Sequence, residues 1–333
     1  MLLNKLRTPN FWNRKQSLLS KILNPLAKLI NCVSKFRYDS IVPEKVSVLV
    51  IGVDSVVISG AGKTPAIDLV CEILKQYNYN PHISTSSHSG YLKNVVQVDP
   101  NLHSYLQVGD ESLLSAKVVS TWVGKNRVKA SKTAISMGAN VLVIDDWLKN
   151  NYLEKDCRIL VIDSEQMFGN GYLFPAGPLM YEVNQSIRKS DLILIIGNHN
   201  EELENSITLI NDKIPIFKAK MVVSNKPEVD NNKIIAFCGL GYPNKFRRTL
   251  NELDYNIIDF LVFSDHHPYT ITEIQKLINI AKVNKATLVT TMKDYVKIPD
   301  LFKQEIKTIE IKLKLETDEF EKYLYELIKS KQN

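Results

Sequence analysis

A glycine-rich turn between a buried strand and an amphipathic helix constrains this chain more than any other segment. The apolar run 46–53 is typical of a strand, and residues 66–75 place apolar side chains at helical spacing. Between them lie Val57, Ile58, Ser59, Gly60, Ala61, Gly62, Lys63 and Thr64. Glycines let backbone amides converge on a phosphate group, the helix N-terminus adds its dipole, and lysine adds a positive charge. The segment therefore predicts a phosphate-binding loop of an α/β protein, with the Thr64 hydroxyl as a ligand for Mg2+.

One position departs from the standard pattern of such a loop, in which four residues separate two glycines. Val57 stands where the first of these glycines is expected. An ordinary turn between a strand and a helix is the alternative interpretation. The strand before the loop and the helix after it favour phosphate binding, because they supply the structural context that this kind of loop needs.

Two acids, Asp145 and Asp146, directly follow the apolar run 141–144. Ligands of open α/β sheets bind at the carboxyl ends of the strands. An acid at the end of a neighbouring strand can hold Mg2+ beside the hydroxyl of a phosphate loop. We therefore predict that Asp145 and Asp146 serve a magnesium ion. Acids after strands are common, and the alternative is that Asp146 caps the next helix.

Two further polar clusters are ambiguous from their residues alone. Asp110 and Glu111 begin a helical pattern, where acids ordinarily complement the helix dipole. His266 and His267 follow the apolar run 256–263. A histidine there can orient a carboxylate base or transfer a proton, and the alternative is a pair of loop histidines without a function.

Strand-like runs alternate with helical patterns from residue 46 onward, which predicts α/β architecture with largely parallel sheets. Candidate strands are 46–53, 94–98, 118–123, 140–145, 158–163, 191–197, 214–218, 234–238, 256–263, 286–291 and 307–312. Candidate helices include 65–77, 125–137 and 270–284. The polar stretch 224–232 is the best candidate linker, and it separates a larger N-terminal portion from a smaller C-terminal portion.

The positive charge of the chain is concentrated near its N-terminus. The net charge is +6, and residues 1–38 contain eight basic residues and no acid. Apolar residues recur there at helical spacing: Leu19, Ile22, Leu23, Leu26, Ile30 and Val33. Pro25 lies within this pattern and is expected to kink the helix or mark its start.

This N-terminal segment indicates contact with a membrane surface. Its apolar run is shorter than the ~20 residues that span a bilayer, whereas a basic amphipathic helix can lie in an anionic interface. A helix that only packs on the domain is the alternative. Because the excess of positive charge is confined to this one segment, nucleic-acid binding is not expected. The four cysteines are scattered without a C-x-x-C pair, which argues against a zinc site or a disulfide framework.

Taken together, these segments resemble the tetraacyldisaccharide 4'-kinase family of the lipid A pathway in Gram-negative bacteria. The resemblance runs from about residue 7 to about residue 300. It rests on the order and spacing of Thr8–Trp12, the loop 57–64, Val108–Glu111, Gly124–Val128, Asp145-Asp146, Phe168–Gly171, Pro175–Leu179, Ala236–Gly241, Asp265–His267 and Leu288–Asp294.

The resemblance implies an enzyme that uses ATP and Mg2+ to phosphorylate the 4'-hydroxyl of tetraacyldisaccharide 1-phosphate, forming lipid IVA. It implies a P-loop-type α/β/α sandwich, a second, smaller α/β domain and an N-terminal amphipathic helix. The expected divisions are a membrane-associating helix (1–37), a kinase domain (38–228) and a smaller domain that closes the cleft (229–333). The lipid substrate would be met at the cytoplasmic face of the bacterial inner membrane, where the protein is bound peripherally. No protein partner is expected.

The resemblance also assigns roles by motif. Asp110 resembles the catalytic base, and His266 resembles its partner from the second domain. The remaining assignments are the loop 57–64 with Lys63 for the ATP phosphates, Thr64, Asp145, Asp146 and the nearby Glu111 for the metal, and Arg127, His88 and Asn170 for the lipid substrate. The family's loop also lacks the first standard glycine, but its usual residue there is threonine rather than Val57.

Other departures from the family pattern affect the part expected to hold the acceptor lipid. The family's Ser-Arg-Gly-Tyr-Gly is replaced by the stretch 85–89, which contains neither the arginine nor the tyrosine. Lys149 stands in place of a glutamine, and Met180 in place of an arginine. Loss of an arginine removes a bidentate contact with phosphate or carboxylate. Two alternatives therefore stay open: a diverged, slow or inactive homologue, and a membrane-associated P-loop ATPase.

Overall fold

Twelve strands form one continuous sheet within residues 9–14, 17–86 and 90–332, the part of the chain that the computed structural model describes. They are β1 (Leu49–Asp54), β2 (Pro81–Thr85), β3 (Val96–Gln97), β4 (Thr121–Val123), β5 (Val141–Asp145), β6 (Cys157–Asp163), β7 (Leu192–Ile196), β8 (Ile216–Asn225), β9 (Lys233–Cys238), β10 (Asn256–Val262), β11 (Thr287–Thr291) and β12 (Ile306–Leu315). Each candidate strand overlaps one of them, and only β2 was not predicted. Their order across the sheet is β10-β9-β11-β12-β8-β7-β6-β1-β5-β2-β4-β3.

Most neighbouring strands are parallel, as the alternation of strands and helices predicts. The antiparallel pairs are β3 with β4 and β12 with β8. A parallel sheet needs crossover helices that cover both of its faces.

The helices in the described residues are α1 (Leu18–Asp39), α2 (Lys63–Gln76), α3 (Tyr105–Val108), α4 (Asp110–Ser115), α5 (Arg127–Ser136), α6 (Val183–Lys189), α7 (Glu201–Thr208), α8 (Pro243–Glu252), α9 (Ile271–Val283), α10 (Met292–Tyr295) and α11 (Glu319–Gln332). The candidate helices 65–77, 125–137 and 270–284 correspond to α2, α5 and α9.

Buried side chains on the two faces of the central strands form separate cores. Ile159 and Val161 of β6 pack with residues of α2 and α11, whereas Leu160 and Ile162 pack on the other face with residues of α6 and α7. Successive strand residues point to opposite faces, so a continuous apolar run fills both cores. This three-layer arrangement confirms the P-loop-type α/β/α sandwich.

Strands β8 and β12 join two parts of the sheet. We call residues 17–225, through β8, the front part, and residues 233–305, with β9 to β11 and α8 to α10, the back part. After β12 the chain returns to the front part, where α11 packs against α2 and its Tyr325 stacks on Tyr77, the residue that follows α2. The polar stretch 224–232 lies between β8 and β9, and the division into domains at residues 228 and 229 stays a prediction.

Helix α1 carries the predicted amphipathic pattern, but its apolar side chains face away from the protein. Pro25 lies inside the helix rather than at its start. Ser20 and Ala27 are buried against the rest of the front part. Exposed apolar residues form the outer face: Leu18, Leu19, Ile22, Leu26, Leu29, Ile30, Val33 and Phe36. None of the helices in the described ranges is long and apolar enough to cross a bilayer.

Candidate active site

The loop 57–64 joins β1 to α2, and Lys63 is the first residue of that helix. Gly60 (φ +87°) and Gly62 (φ +85°) adopt the left-handed conformation that favours glycine. At Gly62 an added Cβ would lie 2.7 Å from the Cδ1 atom of Ile196, so a larger residue would displace that side chain besides straining the backbone. Backbone amides of residues 59–62 make no hydrogen bond to any described residue. Unpaired amides at a helix N-terminus form an anion-binding site, in agreement with the predicted phosphate loop.

The Lys63 ammonium group lies between two buried carboxylates. It forms an ion pair with Asp146, and its Nζ lies 3.8 Å from Oδ1 of Asp54, the last residue of β1. Burial raises the pKa of Asp54 to about 7, with Lys63 opposing the rise and Asp146 adding to it. Burial would lower the pKa of Lys63, yet Asp146 and Asp54 hold it well above its usual value. Sequence reasoning missed Asp54, although it directly follows the predicted strand 46–53.

The neighbouring acid, Asp145, is bound by Arg127 and faces another way. Its Oδ1 accepts a hydrogen bond from Arg127 Nη1 at 2.6 Å, and its Oδ2 accepts one from the Thr85 hydroxyl at 2.7 Å. Arg127 is itself buried and also donates to the Ser86 hydroxyl at 2.9 Å. Of these two adjacent acids, Asp146 therefore lies closer to the loop lysine. The metal role of Asp145 and the substrate role of Arg127 stay predictions.

Asp110 and His266 meet between the front and back parts. His266 Nδ1 lies 2.8 Å from Oδ2 and 3.0 Å from Oδ1 of Asp110. Asp110 is the first residue of α4 and follows Gly109, whose φ of +90° turns the chain into the helix. His266 lies in the segment after β10. The structure thus brings together the two residues that the resemblance assigns to catalysis, and their roles stay predictions.

Lys293 connects this pair to two more acids. Its Nζ lies 3.2 Å from His266 Nε2, 3.2 Å from Glu111 Oε1 and 3.4 Å from Asp265 Oδ1. Burial would lower the pKa of Lys293, but Glu111 and Asp265 hold it well above its usual value. Glu111 therefore contacts a lysine of the back part, and its predicted position near a metal stays a prediction. Lys293 follows β11, so the same strand-end reasoning that selected Asp145 could have found it.

A second lysine, Lys297, approaches Asp110 from inside the back part. Its Nζ lies 3.9 Å from Asp110 Oδ2 and 3.0 Å from Asp294 Oδ1, and its side chain is almost completely buried. Asp294 is fixed by hydrogen bonds from the Tyr269 hydroxyl (2.9 Å) and the Gly239 amide (3.0 Å). Burial alone would raise the pKa of Asp110, but His266, Lys293 and Lys297 hold it well below its usual value. Asp110 is therefore a carboxylate at neutral pH.

The Asp110–His266 pair should make stability depend on pH. Burial and Lys293 would lower the pKa of His266, yet Asp110 raises it above 6.5. The contribution of His266 to the free energy of unfolding is complete below about pH 6.5 and is lost as pH rises through its raised pKa in the folded state. The contribution of Asp110 is present only above about pH 4. We expect the Tm difference between the parent and His266→Gln to be larger at pH 6 than at pH 9 in thermal unfolding. An equal difference at both pH values would contradict this account of the pair.

Asn170 is placed beneath helix α1, away from the loop lysine. Its side-chain amide donates to Phe11 O (3.2 Å), Ser20 Oγ (2.9 Å) and Ala176 O (3.1 Å). The Trp12 indole N–H donates to the Pro175 carbonyl at 3.2 Å in the same region. The described residues of the motifs at 8–12 and 168–179 thus fix α1 to the rest of the front part. A substrate contact by Asn170 stays a prediction, and His88 lies outside the described residues.

One cavity of about 1590 Å³ connects the loop 57–64 with the Asp110–His266 pair. It is lined by the loop 57–64, by Asp110 and His266, by Asp146, and by residues next to α1 that include Phe11 and Trp12. It also extends past the end of β7 to the segment 197–200. The cavity is large enough to hold a nucleotide and part of a second substrate together.

The side chains near the loop fit a metal only in combination with another ligand. The described residues contain no group of three or more histidine, cysteine or acidic side chains that could hold a metal ion. The Thr64 hydroxyl makes no hydrogen bond to a described residue, and Asp146, which contacts the adjacent Lys63, lines the same cavity. Hydroxyl and carboxylate oxygens are ligands that Mg2+ accepts, and it commonly takes the rest from water and substrate phosphates. The donor set therefore fits Mg2+ held together with a nucleotide.

Comparisons with known proteins agree with this architecture. A solved LpxK structure from Aquifex aeolicus, described as a complex with ATP, has the same fold, with a TM-score of 0.71, 24% identity, and coverage of 93% of this chain and 100% of that one. The tetraacyldisaccharide 4'-kinase of Rhodospirillum centenum is 31% identical over 98% of both chains. The enzyme of Rickettsia bellii is 34% identical over 89% of this chain and 91% of its own.

The family model described as LpxK, tetraacyldisaccharide-1-P 4'-kinase, matches residues 19–329, which is nearly the whole chain. The order of strands, the loop at 57–64 and the Asp110–His266 pair all lie within that range. The resemblance inferred from the sequence motifs is thereby confirmed. This chain belongs to the tetraacyldisaccharide-1-P 4'-kinase family.

Proposed function

We propose that this protein transfers the γ-phosphoryl group of ATP to the 4'-hydroxyl of tetraacyldisaccharide 1-phosphate, the step that forms lipid IVA in lipid A biosynthesis. The observation that carries the proposal is the Asp110–His266 pair, which faces the same cavity as Lys63 and its unpaired loop amides. A phosphate donor and a hydroxyl acceptor can therefore be held side by side. The names of the relatives supply the identity of the acceptor.

The loop and Lys63 bind and orient the donor. Amides of residues 59–62 would donate to phosphate oxygens, and the Lys63 ammonium group would leave Asp146 to contact the phosphates as a point charge. Thr64 and Asp146 would hold Mg2+, which neutralises phosphate charge when it is bound. Once Lys63 leaves it, Oδ1 of Asp146 would turn to the metal, while Oδ2 stays 3.5 Å from Arg127 Nη2.

Asp110 positions the acceptor hydroxyl. Phosphoryl transfer mostly requires alignment and charge neutralisation, and the attacking hydroxyl loses its proton to a nearby carboxylate. The low pKa of Asp110 keeps it ionised, so that it can accept a hydrogen bond from the hydroxyl and then the proton. His266 holds the carboxylate in place, and Lys293 lies on the other nitrogen of the histidine.

The lipid substrate would be met at a membrane surface through α1. We propose that its exposed apolar face lies in the interface of the inner membrane on the cytoplasmic side, with Lys21, Lys28 and Lys35 near anionic headgroups. The cavity extends to Phe11, Trp12 and Leu23, next to and within this helix. A headgroup could therefore enter the site while its acyl chains stay near α1.

An assay of lipid phosphorylation tests the function. Purified protein is incubated with ATP, Mg2+ and tetraacyldisaccharide 1-phosphate in detergent, beside an active relative, and the product is followed by thin-layer chromatography. We expect a phosphorylated lipid. Hydrolysis of ATP without a lipid product would instead support a P-loop ATPase, and the absence of both reactions would support an inactive homologue.

Two acidic substitutions on the outer face of α1 should release the protein from membranes. Ile22 and Leu29 are exposed, and burial of each would contribute roughly 1.5–3 kcal/mol to membrane binding. We expect Ile22→Glu/Leu29→Glu to bind anionic vesicles at least about tenfold more weakly in a flotation assay. Val42, which is 89% exposed just beyond the helix, supplies the control Val42→Glu. Equal binding by the double variant and the parent would show that α1 has only a structural role.

A further inference from the structure

A lysine of the back part reaches the phosphate loop. Lys245 lies on α8, and its Nζ is 2.5 Å from the carbonyl oxygen of Gly60 and 2.5 Å from Oδ2 of Asp163. The side chain is only 20% exposed. Next to it, the turn before α8 packs so closely on the loop that a Cβ at Gly241 would lie 1.9 Å from Ser59 Oγ.

The carbonyl group that Lys245 contacts belongs to the same peptide unit as the amide of Ala61. In a trans peptide the C=O and N–H bonds point in opposite directions, so a cation fixed on the oxygen directs the N–H away from itself. It also polarises the unit and strengthens the N–H as a donor. Ala61 is almost fully buried, and its amide makes no hydrogen bond to a described residue. A buried, unpaired donor is costly unless a ligand accepts from it.

Asp163 holds the lysine in this position. It is the last residue of β6, and its Oδ1 accepts hydrogen bonds from the amides of Glu165 (3.2 Å) and Gln166 (2.7 Å). These backbone contacts fix the carboxylate, which leaves Oδ2 for Lys245. The ammonium group is thus held by the front part at a defined point beside the loop.

We propose that Lys245 is a positioning residue of the phosphate site, which orients the Gly60–Ala61 peptide so that the Ala61 amide donates to a nucleotide phosphate. The inference rests on the proposed function, because it assumes that the loop binds ATP. It also makes nucleotide affinity depend on the docking of the back part, since the lysine comes from α8. Lys245 acts through the backbone and needs no contact with the reacting atoms.

Binding of ATP with Mg2+ in the absence of lipid, measured by calorimetry, tests the inference. Lys245→Ala should raise the Kd for ATP about tenfold or more, the effect of losing a charge-assisted hydrogen bond. Asp163→Asn keeps an oxygen that accepts from the amides of Glu165 and Gln166 but removes the charge that holds Lys245, so it should also raise the Kd for ATP. The double variant should be little worse than Lys245→Ala, because both changes remove one interaction. Lys245→Arg keeps a donor and should restore most of the affinity.

Arg248, one turn further along α8, supplies the matched control. It is half exposed and pairs with Glu165 at 2.6 Å, and although it also lines the cavity it makes no hydrogen bond or ion pair with a described residue of the loop 57–64. Arg248→Ala should change the Kd for ATP less than twofold. Equal weakening by Lys245→Ala and Arg248→Ala would overturn the inference, as would unchanged binding by Lys245→Ala. If the parent binds ATP but phosphorylates no lipid, the proposed function fails while this comparison of affinities still decides the inference.

Discussion

Replacement of Asp110 by asparagine should lower kcat for lipid phosphorylation by about 10²–10⁴-fold, the contribution of a positioned general base. The asparagine fills the same space and can still accept a hydrogen bond, but it cannot take the proton of the 4'-hydroxyl. Nucleotide binding should change little, because the phosphates are expected at the loop 57–64. Steady-state kinetics with both substrates, together with calorimetric ATP binding, separates the two effects.

The same substitution should change the ionisation of His266. The Asp110 carboxylate raises the pKa of that histidine against the opposing effects of burial and Lys293. With asparagine at position 110, the pKa of His266 should therefore fall, which an NMR titration of the histidine side chain would measure. A lower kcat without a lower histidine pKa would mean that the two groups are not paired in solution.

The adjacent histidine provides a matched control for this site. His267 also contacts an acid, with its Nε2 3.2 Å from Glu273 Oε1, but it does not line the cavity. His266→Gln should lower kcat in the same direction as Asp110→Asn, whereas His267→Gln should stay within about twofold of the parent. If both histidine variants were equally impaired, the loss would reflect disruption of the segment after β10 rather than of a catalytic pair.

The features that sequence reasoning located best are those encoded by neighbouring residues. The loop 57–64 was found because a strand, a turn and a helix follow one another, and its glycines have the expected left-handed backbone. Strand β2 was missed because Pro81, His82 and Ser84 interrupt the apolar pattern, yet the sheet buries all five residues of Pro81–Thr85. Burial between β5 and β4 overrides the local propensity of this segment.

The contacts that complete the site are long-range and have no local signal. Asp110 and His266 are 156 positions apart, and Lys245 and Gly60 are 185 apart. From spacing alone, Asp110 is interpreted as an ordinary acid in the first turn of a helix, and only the family resemblance pairs it with His266. The packing of the back part against the front part creates both contacts, so they cannot be derived from periodicity or from strand ends.

Replacement of Lys63 by methionine should impair ATP use more than any other single change in the loop. Methionine keeps an apolar stem of similar length but removes the charge that the phosphates require. Loss of a charge-assisted hydrogen bond should weaken ATP binding about tenfold or more. Loss of charge stabilisation in the transition state should lower kcat by a further 10²–10³-fold or so. Calorimetry and single-turnover kinetics measure the two effects separately, and vesicle binding should be unchanged.

The variant should also be less stable at high pH than the parent, for an electrostatic reason. Without Lys63, Asp54 loses the cation that opposes the rise in its pKa, while the nearby Asp146, which Arg127 contacts at 3.5 Å, still adds to that rise, so the pKa of Asp54 should rise beyond its value of about 7. When the folded state raises the pKa of a carboxyl group, the protein loses stability as pH rises from the pKa of that group in the unfolded state to its pKa in the folded state. The Tm of Lys63→Met should therefore fall more than that of the parent between pH 6 and pH 8. Lys117, an exposed lysine that lines the same cavity, gives the control Lys117→Met, and similar losses in both variants would refute a specific role for Lys63.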